Sequence, residues 1–296
     1  MDRADFIITV FCLVCEHSRE VTHAAPIRHG GFDPTLGDEE VMTIELCGEF
    51  FKLGGDQEIF DHFHTHYREW FPGLRDRSTF VRQAANLWQV KAAIQQQVTV
   101  VSGPADDPVQ VIDTLPLPVC VYTRSRRDRC FKPDADYGYG AAKRLKYYGF
   151  KLGLRLSRTG MITHFPLLPA RPHDIQLLDD LLEGFVGGVP ADKGFIDQMR
   201  QQLWAEQGVV LITPPRQNMI TTHPPRVWKV CKRLRKRIET VGSHLTERFA
   251  IARMRVRDLW HFQHRIIRKV LAHTVGVFLN LQLGRAALDL DGLLDS

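Results

Sequence analysis

The hydrophobic pattern changes period once along the chain, across the Gly/Pro/Asp-rich segment VSGPADDP at 101–108. This change limits the folds open to it. Before the segment, apolar residues recur every three or four positions, the spacing of a helix face. After it, short stretches alternate at period two and are separated by helical ones, the pattern of an α/β sheet domain. The chain therefore reads as a helical domain over 1–100, a linker over 101–108 and an α/β domain over 109–296 that ends in helices. At roughly 100–200 residues per domain, 296 residues suit this division.

In the helical part, helices are expected over 4–18, 38–54, 56–70 and from 78 to about 98. Asp38 and Ser78 are the candidate N-caps, and Gly54-Gly55 and Pro72-Gly73 the breakers. The pair joined by PGLRDRS reads as a helix-turn-helix or an ordinary helical hairpin. In the second part, VQVID (109–113) reads as a strand, and FKLGLRLS and MITHFPLL as a hairpin around Arg158-Thr159-Gly160. Asp174 is the expected cap of an apolar helix. A strand at VGGVP, a helix over 196–207 and a strand at VVLIT follow. A basic helix then starts near Arg226, and a last helix covers 258–283.

Charge is unevenly placed. The net +5 conceals two basic segments, Arg124 to Arg158 at +8 and Arg226 to Arg257 at +9, in a remainder of −12. Concentrated positive charge suits a polyanion, nucleic acid first, although a solvated basic face gives the same pattern. The six cysteines are scattered and fit a reducing compartment better than a disulfide framework. Cys12 and Cys15 form a CxxC without a second pair, and read as small apolar residues of the run FIITVFCLVC. That run is too short to span a bilayer, and Asp2 and Asp5 before it do not suit an export signal, so no membrane association is expected.

Three acids stand out by position. Asp113 ends a strand, Asp192 ends the strand-like GGVPAD, and Glu239 lies in the basic helix beside its apolar stripe of Trp228, Cys231, Leu234, Ile238, Val241, Leu245 and Phe249. Strand-end carboxylates converge at one edge of an α/β sheet, and a helix packed there adds a third. Hard oxygen ligands of this kind suit Mg²⁺ or Mn²⁺. Two such ions about 4 Å apart activate an attacking oxygen and stabilise a leaving one in phosphoryl transfer. Taken singly, each acid also has a plain reading, a turn residue or a solvated one. His62 and His66, four apart in HFHTH, have metal-ligand spacing or are surface neighbours of buried Phe63 and Tyr67. Tyr137, Tyr139, Tyr147 and Tyr148 interleave with Lys143, Arg144 and Lys146, which suits unpaired DNA, or else two of the tyrosines are core.

Taken together, these segments resemble bacterial insertion-sequence transposases of the DDE type, in a compact group of about 300 residues. The resemblance is carried by VIDTLPLPVC around Asp113, GYGAAKRLKYYGFKLGL, LLPARPHDIQLL, ADKGF at 191–195, and RKRIETVGSHL around Glu239. VMTIEL, YREWFPGL and STFVR extend it into the first hundred residues. It implies a ribonuclease-H-like catalytic domain behind an all-helical N-terminal DNA-binding domain. Asp113, Asp192 and Glu239 would be the catalytic acids, holding two Mg²⁺ ions for which Mn²⁺ can substitute. The substrates would be double-stranded DNA, the element's terminal inverted repeats and the target, handled by a homodimer assembled on DNA in the bacterial cytoplasm, at the nucleoid. Phosphate contacts are expected from Arg124, Arg126, Arg127, Arg129, Lys143, Arg144 and Lys146, and from Lys232, Arg235, Lys236 and Arg237. A larger related group surrounds its Glu with Tyr, Arg and Lys. Here Arg235 matches the Arg, whereas Lys232 and Thr246 stand at the other two positions, and Gly242 stands where an aromatic is more usual. A nuclease without strand transfer, or a DNA-binding derivative without catalysis, would share most of these features.

Overall fold

A computed structural model describes residues 1–24, 33–140, 145–214 and 224–294. The chain forms two units, one of Met1–Ser102 with Leu245–Ser296 and one of Gly103–His244.

The first unit is helical. It contains α1 (Arg3–Ala24), α2 (Asp38–Phe50), α3 (Asp56–His66), α4 (Arg77–Asn86), α5 (Trp88–Val101) and, from the far end of the chain, α9 (Leu259–Gln282). Residues 258–283, expected beside the catalytic sheet, instead pack against α2 and α5. The reason is chemical as well as apolar. Arg268 and Lys269 of α9 are buried cations and need acids, which α2 and the start of α3 supply. Arg268 donates to Glu45, Glu49 and Asp56, and Lys269 to Glu49. Lys91 of α5 donates to Glu45 at 2.5 Å. Buried charges persist only when paired in this way.

Several caps differ from expectation. Gly37 precedes α2, and its N–H donates to Glu40 at 2.6 Å. Asp38 is already in the helix and accepts from Gln83. Asp76, not Ser78, caps α4 by accepting from the Thr79 N–H. The helix expected to run to about residue 98 is interrupted at Leu87, whose N–H is shared between the Gln83 and Ala84 carbonyls. On α1, Cys12 is exposed and Cys15 half-buried, so only Cys15 matches the packing expected of the pair. Among the described residues no helix is long and apolar enough to cross a membrane.

The second unit is built on sheet. Strands β1 (Val111–Pro118), β2 (Asp136–Gly140), β3 (Leu145–Leu156), β4 (Ile162–His164) and β5 (Leu167–Pro169) form an antiparallel sheet in which β3 pairs with all the others. β1 overlaps the expected VQVID strand but starts at Val111 and runs on to Pro118, so Asp113 is its third residue and not its end, because pairing with β3 continues through Pro118. Its Pro116 and Pro118 are tolerated because only one side of it pairs within this sheet. A parallel pair follows, β6 (Gly187–Pro190) with β7 (Val209–Ile212). A parallel bridge between Val109 and Gly188 sets β6 alongside the approach to β1. This approach is close. A Cβ on Gly187 would lie 2.2 Å from the Pro108 carbonyl oxygen, so glycine is required there.

Helix α6 (Leu177–Leu182) covers one face, with Leu177, Leu178, Leu181 and Leu182 packed on Ile112, Val189 and Val209. Helix α7 (Gln198–Glu206) links β6 to β7. Helix α8 (Pro225–Ser243) packs against β1 and β6.

Candidate active site

Strand alternation decides which way the first acid points. Ile112 packs in the α6 core, so Asp113 faces the opposite side of the sheet. The bridge between Val109 and Gly188 then sets the second. Asp113 lies four residues beyond Val109, and Asp192 four beyond Gly188, on parallel neighbouring segments. The two carboxylates are therefore brought side by side.

Their electrostatics agree with that placement. Burial pushes the Asp113 carboxyl up to about 6. The Thr114 N–H, donating to Asp113 Oδ1 at 2.8 Å, and Arg235 oppose the rise, while the neighbouring charges of Asp192 and Asp174 add to it. Burial also acts to raise Asp192, but the Lys193 N–H and the Arg235 guanidinium outweigh it and hold that carboxyl below the usual range. Arg235 Nη1 donates to Asp192 Oδ1 at 2.9 Å.

Arg235 is on α8, and Glu239 is one turn further along the same flank, exposed. The structure thus brings Asp113 and Asp192 together with Arg235. It does not gather Glu239 into a common cluster with them. Among the described residues no three His, Cys, Asp or Glu are grouped to hold a metal. Nor does a third ligand join His62 and His66, whose rings lie 4.8 Å apart.

Two further residues lie close to this site, Asp174, read from sequence as a helix cap in a segment that resembles the family's near its active site, and Lys151, to which no role was given. Asp174, expected as a helix cap, leaves that position to His173 and pairs with Lys151 at 2.8 Å. Lys151 also donates to the Pro172 carbonyl. The signal was present, since Lys151 faces outward in the alternating strand and Asp174 sits in a conspicuous segment, but their sequence separation hides the pairing.

The expected phosphate contacts divide into three groups. Arg124, Arg126, Arg127 and Arg129 are exposed in and just after the 3₁₀ turn Tyr122–Arg127, and Lys146, Lys232 and Lys236 are exposed as well. Arg237 is half-buried, and Arg235 is engaged with Asp192. Lys143 and Arg144 lie outside the described residues. Other cations of the first basic segment serve the fold. Arg155 is buried and donates to the Leu181 and Glu183 carbonyls at the end of α6, and Arg158 pairs with Asp107. Of the four tyrosines, Tyr147 and Tyr148 are core, and Tyr137 and Tyr139 are exposed.

Comparison with known families matches residues 104–259, more than half of the chain, to the family model for the transposase DDE domain. No curated protein and no solved structure matches the chain.

Proposed function

Because the chain belongs to the DDE transposase family, we propose that it cleaves the ends of its own insertion sequence and joins the freed 3′-hydroxyls to target DNA. The observation that carries this reading is the parallel bridge of Val109 to Gly188, which sets the segments carrying Asp113 and Asp192 side by side against α8, the helix of Glu239.

The strand arrangement supports a ribonuclease-H-like core. β1 has an antiparallel neighbour, β3, on one side, and the residues just before β1 are bridged through Val109 to β6 of the parallel pair β6 and β7. The donor set fits a divalent cation. It consists of carboxylate oxygens only, and two of them are close enough for one to raise the pKa of the other. DDE transposases generally use divalent metals. In this reading Asp113, Asp192 and Glu239 hold two Mg²⁺ ions, which would supply activation of the attacking oxygen and stabilisation of the leaving one.

The remaining work falls to the chain itself. Arg235 balances the charge on Asp192 and keeps its carboxylate ionised for ligation. The exposed cations from Arg124 to Arg129, with Lys146, Lys232 and Lys236, line surfaces that can take phosphates of both strands. The helical unit would recognise the DNA end, and two copies would bring two ends together.

The test is a cleavage assay on DNA bearing the element's native ends with Mg²⁺ or Mn²⁺. Metal-dependent 3′-OH formation followed by strand joining, both lost in Asp113→Asn, is the expected result. Cleavage without joining would assign a nuclease. End binding with no cleavage in either protein would assign a non-catalytic binder.

A further inference from the structure

Beside the acid pair, the sheet unit has a cleft of about 680 Å³ that the phosphoryl-transfer reading does not use. Its outer wall is aromatic. Tyr122, Tyr137 and Tyr139 all line it, and each is 42–56% exposed, whereas few other large rings among the described residues are exposed.

These rings are held in place. Tyr122 and Tyr137 meet edge to face at 5.9 Å, and Tyr137 packs on buried Tyr148 at 5.0 Å. The Tyr137 hydroxyl is hydrogen-bonded by Ser125 at 3.1 Å. Tyr139 lies two residues further along β2, hence on the same face as Tyr137. Between them Gly138 keeps the strand close to the core, since a Cβ there would lie 2.8 Å from Ala170 Cβ and the Tyr147 ring.

Cations flank the rings. Lys146 is directly across the strand pair from Tyr139, and Arg171, 80% exposed, is held only loosely by Asp136 at 3.7 Å. The inner wall is the Lys151–Asp174 pair, and the charge of Asp174 is felt at Asp113. One cleft therefore runs from exposed aromatic faces, past cations, to Asp174 and to Gly194, which lies two residues after Asp192.

We infer that this cleft takes an unpaired nucleobase of the DNA strand being processed, stacked on Tyr137 and Tyr139, with the adjoining phosphates on Lys146 and Arg171. The inference rests on the transposase reading and adds a site to it. A phosphate alone would need no rings. A base inside a duplex is already stacked on both faces, so it offers nothing to a concave aromatic wall, whereas an unpaired base does. The volume falls within the range of small-ligand sites. Stacking on an aromatic side chain is worth about 1–3 kcal/mol per base, so losing one ring should weaken binding of unpaired DNA roughly tenfold.

The experiment uses the full chain in EDTA, so that binding is read apart from cleavage. Two probes are compared by fluorescence anisotropy, a blunt DNA hairpin and the same hairpin with a short single-stranded tail containing 5-iodouracil. The tailed probe should bind about tenfold more tightly than the blunt one. Tyr139→Ala should remove that preference and Tyr139→Phe should retain it, because stacking needs the ring and not the hydroxyl. Irradiation should cross-link the tail to the peptide that contains Tyr137 and Tyr139. Tyr139 is more than half exposed, so neither variant should change the thermal unfolding curve. Equal binding of the two probes, or a preference indifferent to Tyr139→Ala, would overturn the cleft's role and leave the transposase reading standing. Failure to bind either probe would overturn both. A change in self-association with unaltered tail preference would reassign the tyrosines to a protein contact.

Discussion

At the residue scale, Asp113 carries a cost that its proposed role explains. Its carboxyl is pushed up to about 6 by burial and by a neighbouring Asp, so holding it ionised at neutral pH destabilises the folded state. The sign follows from proton uptake. A carboxyl with a folded pKa above its unfolded value binds more protons when folded, so stability falls as pH rises from about 4 to about 6 and stays reduced above it. Asp113→Asn removes that charge. It should raise the stability of the sheet unit at pH 7 by on the order of 1–3 kcal/mol while abolishing cleavage. Thermal unfolding at pH 7 and at pH 4 checks this, with the gain present at the former and small at the latter. The sequence singled out Asp113 and Asp192 as strand-end carboxylates and Glu239 as a helix-flank one; the structure sets the charges of the first two near each other and leaves Glu239 apart. Arg235 was legible as the match to the related group's Arg and as a phosphate contact, not as a partner of Asp192. Its pairing with Asp192 depends on the crossing of α8 over β6, which local spacing does not encode.

At the element scale, α8 determines how the site is furnished. Cys231, Leu234, Ile238 and Val241 are buried on one face, as the helical period requires, and this holds Arg235 and Glu239 along the edge. Gly242 weakens the end of the helix. A Cβ there would meet nothing within 4 Å, so the position has room and gains nothing from lacking a side chain. Gly242→Ala should therefore stabilise the chain by about 0.5–1 kcal/mol, read as a rise in the denaturant midpoint with an unchanged slope. A loss of stability would show that the residue serves another purpose. The strands that alternate cleanly, β3 and β4, were readable from sequence. β2 was not, because DYGYG lacks β-branched residues and forms a strand through pairing with β3. The cap of α4 was displaced by two residues because Asp76 and Ser78 are both competent caps, and only the geometry selects Asp76.

At the scale of the whole molecule, the sequence suggested one break, whereas the chain returns to its first unit after leaving it. What draws α9 back is the buried charge network, whose partners lie more than 170 residues apart and leave no local trace. Within it, the Lys91 ammonium donates to His264 Nδ1 at 2.9 Å, so that nitrogen must carry a lone pair and the ring must be neutral. Burial and the nearby Lys91 charge push the His264 pKa down to about 4. The unfolded chain then binds more protons between about pH 6.5 and pH 4, and stability falls as pH decreases through that window. The helical unit should lose roughly 2–3 kcal/mol across it, seen as earlier urea unfolding at pH 4.5 than at pH 7. The His264→Gln variant should show a flatter dependence. In the sheet unit, acids from two strand segments and from α8 are proposed to serve a single metal centre, and iron-mediated backbone cleavage is the measurement that decides it. The full chain is loaded with Fe²⁺ in place of Mg²⁺, treated with peroxide and ascorbate, and the cut positions are mapped by mass spectrometry. Cuts near Asp113, Asp192 and Glu239, competed away by Mg²⁺ and lost together in Asp192→Asn, are the predicted result. Cuts confined to another part of the chain, such as the His62–His66 helix, or cuts indifferent to Asp192→Asn, would contradict it.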